Sequence, residues 1–306
     1  MLNLYGIVQI IVYLAIVVFV VGVAAKVRRY ATAPMHLRWE LYPVPHDKGR
    51  AYGGSYLEAA DWWAKPRETS FLAMVAEMLS EMLLIKTLWH KNRSQWFFSF
   101  PFHVGLYFLI AFVVLLIIGA LVQIAGAPVA VSAGFWSAVL VYVTLIVGVV
   151  GLIGATIGAL GLLYRRLTDP NLRVYSTLAD YFNLVFLLAI FVSAWVAGFT
   201  VDGSFSLLRG FFQGLITANP TFGATPVAIE VLLVALFMLY LPFTHMTHFV
   251  GKFFTWHQVR WDDAPNLRGD GMSRRIAANL QRPLSWSAPH IQKDKRWVDV
   301  AQEETK

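Results

Sequence analysis

The stretch "LPFTHMTHFVGKFFTWH", residues 241–257, closes a long apolar run with three histidines, His245, His248 and His257. A fourth, His103, opens another apolar run in "FPFHVGLYFL". Imidazole can ligate metal, carry a proton and hydrogen-bond, whereas packing against lipid needs none of these. If the two runs are helices crossing a membrane in opposite directions, an early position on one and a late position on the other share a depth. At ~1.5 Å rise per residue, His103 and His248 then sit within a turn or two of the same edge. Two imidazoles placed so can ligate one haem iron from opposite faces. Phe100, Phe102, Tyr107, Phe243 and Phe249 would give a porphyrin apolar surroundings, and Lys252 or Arg93 could meet its propionates. His245, three residues from His248 on the same face, is the alternative ligand. The competing reading is a pair of interfacial histidines whose tips reach headgroups and water.

Glu230 is the one acid well inside an apolar run. A carboxyl group in lipid is costly and marks a candidate functional site; here the chemistry would be a quinol proton acceptor or hydrogen-bond partner. The alternative is a residue near its helix end, wetted by a loop. His36, His46 and His290 stand in polar surroundings and read as solvated. Lys86 interrupts an apolar helix face and reads as a snorkelling lysine.

The elements that must position these residues are apolar blocks at about 4–26, 101–124, 135–163, 181–200 and 226–250. With 58% hydrophobic and 14% charged residues among 306, the composition is that of a membrane protein. The first block lacks a basic leader and a small-residue cleavage site, and "KVRR" follows it, so it reads as a retained helix with its N-terminus outside. Residues 26–100, 164–180 and 251–306 then fall on the cytoplasmic side and hold 24 of the 25 Lys and Arg; only Arg209 lies in an outer loop. The net charge of +7 therefore suits anionic lipid or an acidic partner and not nucleic acid. There is no cysteine, which excludes disulfides, thiolate zinc sites and iron–sulfur clusters held by this chain.

The fold expected is all-α, an integral membrane five-helix bundle with its C-terminus cytoplasmic and a cytoplasmic amphipathic helix. Residues 1–26 form the first span, and 27–100 a cytoplasmic segment with an interfacial or docking helix at 70–92. A four-helix core follows at 101–250, then a cytoplasmic tail at 251–306. "DGSFSLLRGFFQGLITANPTFGATP" reads as a short interfacial helix on the outer side. Gly148, Gly151, Gly154, Gly158 and Gly161 recur every three or four residues, a spacing that lets helix backbones approach.

The blocks "FHVGLYFLIAF" (102–112), "LYRRLTDPNLRVYSTLADY" (163–181) and "LPFTHMTHFVGKFF" (241–254) resemble the membrane cytochrome b family typified by the gamma subunit of respiratory nitrate reductase. That family includes membrane subunits of heterodisulfide-reductase-like complexes in sulfate-reducing bacteria and methanogens. The likeness covers roughly 100–255. His103 and His248 match the two positions that in the family ligate one haem b near the cytoplasmic face. Two-haem members carry a further histidine ten residues along the second helix and another eighteen residues before the fifth-helix ligand. Here those positions are Val113 and Glu230, so the resemblance implies one haem b. A second haem on His90, His245 or His257 has no support from spacing.

The resemblance implies a haem b subunit of a respiratory redox complex in a bacterial or archaeal cytoplasmic membrane. It would pass electrons between menaquinone or another quinone and a cytoplasmic, heterodisulfide-reductase-like iron–sulfur partner. That partner would dock on 27–100 and on "WHQVRWDDAPNLRGDG", with the quinone site close to the haem. The alternative is a haemless membrane anchor for soluble redox subunits. A transporter is disfavoured by the odd helix count without inverted repeats.

Overall fold

The computed structural model describes residues 4–32, 71–219, 223–255, 269, 271–289 and 291–303. Among them the regular structure is helical, apart from two isolated antiparallel bridges, Pro283 with Arg296 and Ala288 with Ile291. Five helices are long and apolar enough to cross a membrane. They are α1 (Leu4–Ala31), α4 (Arg93–Ile124), α5 (Phe135–Thr168), α7 (Leu178–Thr200) and α9 (Thr225–Tyr240). The shorter helices are α2 (Phe71–Leu83), α3 (Lys86–Lys91), α6 (Pro170–Val174), α8 (Ser206–Ile216), α10 (His248–Thr255), α11 (Gly271–Leu280) and α12 (Trp297–Gln302). The chain is an all-α, multi-pass membrane protein. It divides into two units, 1–22 with 79–244 and 23–78 with 245–306.

In the first unit, α4 and α5 form a close antiparallel pair, α7 packs on α5, and α9 on α7. Because lipid tails are as apolar as leucine, such helices associate by close van der Waals packing. The glycine stripe of α5 permits it. A Cβ at Gly158 would lie 2.5 Å from the Phe102 backbone nitrogen, and one at Gly105 on α4 would lie 2.2 Å from the Ala155 nitrogen. The shared core joins Val8, Val12 and Ala15 of α1 to Phe112, Leu116, Leu208, Phe211, Val227 and Val231. We call the end carrying Arg93, Arg165 and Arg166 the basic end, and the end carrying α8 the far end.

Two elements depart from the pattern read in the sequence. The helix expected over 70–92 is broken into α2 and α3 at Ile85, a β-branched residue in the left-handed region (φ 51°). The buried Glu81 carboxylate secures the elbow by accepting from Thr87 Oγ1 at 2.5 Å and from the Thr87 amide at 3.3 Å. Asn92 then caps α4, its Oδ1 accepting from the Gln95 amide at 3.1 Å, so α4 begins eight residues before the expected 101.

The fifth span ends at Phe243, not 250. Proline lacks an amide hydrogen and clashes with the carbonyl four residues back. At Pro242 the α-helix therefore gives way to a 3-10 turn, Leu241–Phe243. Thr244 is extended (φ −107°, ψ 170°), and a second 3-10 turn, His245–Thr247, leads into α10.

In the second unit, Lys26 Nζ donates to the buried Thr247 Oγ1 at 2.5 Å, and the rings of Tyr30 and Phe254 pack at 5.8 Å. Arg296, preceding α12, pairs with Asp299 at 2.6 Å, and Trp286 packs edge-on to Trp297.

Candidate functional site

His103 stands ten residues into α4, about 15 Å along the axis from Arg93. Its Nδ1 lies 2.7 Å from the carbonyl oxygen of Ser99 and 3.3 Å from Ser99 Oγ. A carbonyl oxygen only accepts, so Nδ1 carries the proton and the lone pair of the neutral ring sits on Nε2. A histidine that ligates metal is held in this way, with its other nitrogen donating to a backbone carbonyl or carboxylate. Phe102 packs edge-on against the imidazole at 5.3 Å.

At 100° per residue, Trp96, Phe100, His103 and Tyr107 share one face of α4, away from the face that Gly105 presses on α5. The last turn of α2 is held on that face. Tyr107 Oη donates to the Met82 carbonyl at 2.8 Å, and Trp96 Nε1 to the Leu84 carbonyl at 2.8 Å. Helix C-termini leave such carbonyls without intrahelical donors, and α4 supplies them. Trp96 also stacks on Phe100 at 4.4 Å and meets Trp89 edge-on at 4.7 Å. The Arg93 guanidinium lies 4.7 Å over the Trp89 ring. A belt of tryptophans with an attendant cation marks a membrane–water boundary.

The other expected haem residues belong to the second unit. His248 is the first residue of α10 and is exposed, and Lys252 is one turn further along the same face, also exposed. His245 opens the preceding 3-10 turn and is exposed. Thr247 between them is buried and held by Lys26. His90 lies exposed on α3. His36, His46, His257 and His290 lie outside the described residues, as do 33–70 and 256–268 of the expected docking surface. No group of three or more His, Asp or Glu able to hold a metal ion occurs among the described residues.

Glu230 is half-buried, the sixth residue of α9, and in coulombic range of Asp202. It belongs to a polar region at the far end that spacing did not reveal. Asp202 accepts from the amides of Leu207 at 2.9 Å and Leu208 at 2.8 Å, satisfying the start of α8. Gln9 Nε2 donates to the Gly214 carbonyl at 3.0 Å and Tyr13 Oη to that of Leu215 at 2.5 Å, satisfying its end. Arg209, which the sequence places on the outer side within the short interfacial helix, is 6% exposed. Its Nε donates to Gln123 Oε1 and its Nη2 to the Val129 carbonyl, both at 3.2 Å. Burial lowers the Arg209 pKa from its ordinary value, and the Asp202 carboxylate opposes that shift.

A second polar pair lies at the basic end. Asn183 on α7, 5% exposed, accepts from Tyr240 Oη of α9 at 2.9 Å. The visible signal was the asparagine in "YFNLVFLL", a polar residue inside an apolar block. No family model and no curated protein matches the chain.

Proposed function

We propose that this chain is a haem b-containing membrane subunit of a respiratory redox complex. In this reading it carries electrons between a membrane quinone and a cytoplasmic iron–sulfur partner. The observation that carries the proposal is the 2.7 Å approach of His103 Nδ1 to the Ser99 carbonyl oxygen, which assigns the proton to Nδ1 and the lone pair to Nε2. Phe100, Phe102 and Tyr107, neighbours of His103 on α4, would give a porphyrin apolar surroundings.

His103 would hold the iron on one side. The second ligand rests on the sequence match alone, with His248 favoured and His245 the alternative. Lys252 and Arg93 are candidates for the propionates. Haem, when bound, supplies one-electron chemistry, and its potential follows from ligand type, burial and neighbouring charge. The chain's own part is to fix the imidazole tautomer and keep the site apolar. A chain without cysteine leaves iron–sulfur clusters to a partner; the resemblance points to a heterodisulfide-reductase-like subunit, in a bacterial or archaeal cytoplasmic membrane.

A pyridine haemochrome assay on the purified protein tests this, with His103→Ala, His245→Ala and His248→Ala alongside. One haem b per chain, lost in His103→Ala and in one of the other two, is the expected result. No haem in a well-folded preparation would replace the proposal with the haemless anchor.

A further inference from the structure

At the basic end of the first unit, the Asn183 amide of α7 and the Tyr240 phenol of α9 meet between the two helices. Interhelical hydrogen bonds in lipid contribute only modestly to stability, while an amide buried there is costly. A helix clasp alone is thus a weak reason for this pair.

Its surroundings suggest another. Phe182 meets Tyr240 edge-on at 5.4 Å, Phe186 meets Phe237 edge-on at 5.7 Å, and Phe182 and Phe186 lie 5.6 Å apart. Phe182 is 52% exposed on the outer surface of the helix pair, whereas Asn183 beside it is buried. The polar pair therefore has the rings of Phe182, Phe186 and Phe237 around it, with Phe182 on the exposed side.

A ligand suited to this place is flat, lipid-soluble and bears an oxygen that can accept or donate a hydrogen bond. We propose that Tyr240 and Asn183, collared by Phe182, Phe186 and Phe237, bind the head group of a membrane quinone between α7 and α9. This rests on the redox reading above and names the quinone site that it requires. The phenol can turn its proton from Asn183 Oδ1 to a quinone carbonyl oxygen, and both Asn183 Oδ1 and Tyr240 Oη can accept from a quinol hydroxyl. The pair can thus hold either redox form. The clasp between α5 and α7, Trp195 Nε1 donating to Thr156 Oγ1 at 3.2 Å, lacks this property, because an indole nitrogen only donates.

The test uses the full chain in lipid nanodiscs and a fluorescent hydroxyquinoline N-oxide, a quinol analogue, titrated by quenching and displaced by menaquinone. Tyr240→Phe and Asn183→Leu are each expected to weaken binding about tenfold, the usual consequence of losing one well-placed hydrogen bond. Thr156→Val should bind as the unsubstituted protein does. Thermal melts accompany each variant, and Tyr240→Phe, the milder change, decides if Asn183→Leu fails to fold. Unchanged binding in Tyr240→Phe, or equal weakening in Thr156→Val, would overturn the site. Failure of the unsubstituted protein to bind the analogue would overturn it too, while haem content of the same preparation reports separately on the cytochrome reading.

Discussion

His103 and Ser99 are joined from ring to main chain, with 2.7 Å between Nδ1 and the carbonyl oxygen. Because the acceptor is backbone, it survives any substitution at position 99. Ser99→Ala removes only the hydroxyl, 3.3 Å from the same nitrogen. We expect Ser99→Ala to retain haem at the unsubstituted level, measured by haemochrome, while His103→Ala retains none. Equal loss in both would move the orienting role to the hydroxyl.

The α4–α5 contact predicts a graded response to added methyl groups. A Cβ at Gly158 meets the Phe102 backbone, which cannot move aside as a flexible side chain would, whereas one at Gly198 on α7 meets nothing within 4 Å. Overpacking costs about 1–3 kcal/mol, while relieving a helix glycine gains roughly 0.5–1 kcal/mol. Gly158→Ala should lower the melting temperature in detergent, and Gly198→Ala should leave it unchanged or raise it slightly. A fall of similar size in both would argue against close approach at the stripe.

The spans were legible because an apolar block of sufficient length has few alternatives in lipid, and the place of His103 on the second span followed from them. The ends were not. Hydropathy continues past Pro242 through "FTHMTHFV", yet the proline interrupts the helix there, so His248 opens a new helix and does not close the fifth. Ile85 in a left-handed conformation splits an amphipathic pattern that carries no glycine or proline at the break. The burial of Arg209 was hidden for a different reason. Its partners, Gln123 and the Val129 carbonyl, are some 80 residues away in sequence and have no periodic relation to it.

Asp202 holds three donors at the start of α8: the amides of Leu207 and Leu208 and, at 3.3 Å, Ser206 Oγ. Losing a helix-start cap costs about 0.5–2 kcal/mol. Asp202→Ala should destabilise by the upper part of that range in chemical unfolding, with Asp202→Asn milder. An Asp202→Ala protein as stable as the original would leave α8 held by its other end, through Gln9 and Tyr13.

At the basic end, the hydrogen bond from Arg165 holds the Asp169 carboxyl below its ordinary pKa, and Arg165 pairs with it at 2.8 Å. A carboxylate depressed in the folded state adds stability above its unfolded pKa, about 3.9, and loses it as pH falls through the lower folded value. The melting temperature of the original protein should therefore exceed that of Asp169→Asn at neutral pH, the gap closing as pH drops below about 4. A gap that widened on acidification would contradict the assigned direction.

The last turn of α2 depends on two donors from α4, Tyr107 Oη to Met82 and Trp96 Nε1 to Leu84. Replacing both by phenylalanine leaves an aromatic ring at each place, a smaller one at 96, but returns two helix-end carbonyls to water or lipid, at roughly 1 kcal/mol for each lost hydrogen bond. The elbow between α2 and α3 should then open more often, because it is secured otherwise by the Glu81 contacts to Thr87. Hydrogen–deuterium exchange over residues 79–92 should rise in the Tyr107→Phe, Trp96→Phe double variant and still more when Glu81→Gln is added. Exchange over α5 and α7 should stay as it was. Faster exchange throughout would mean that these bonds support the whole bundle and not the elbow alone, and that α2 is part of the membrane core.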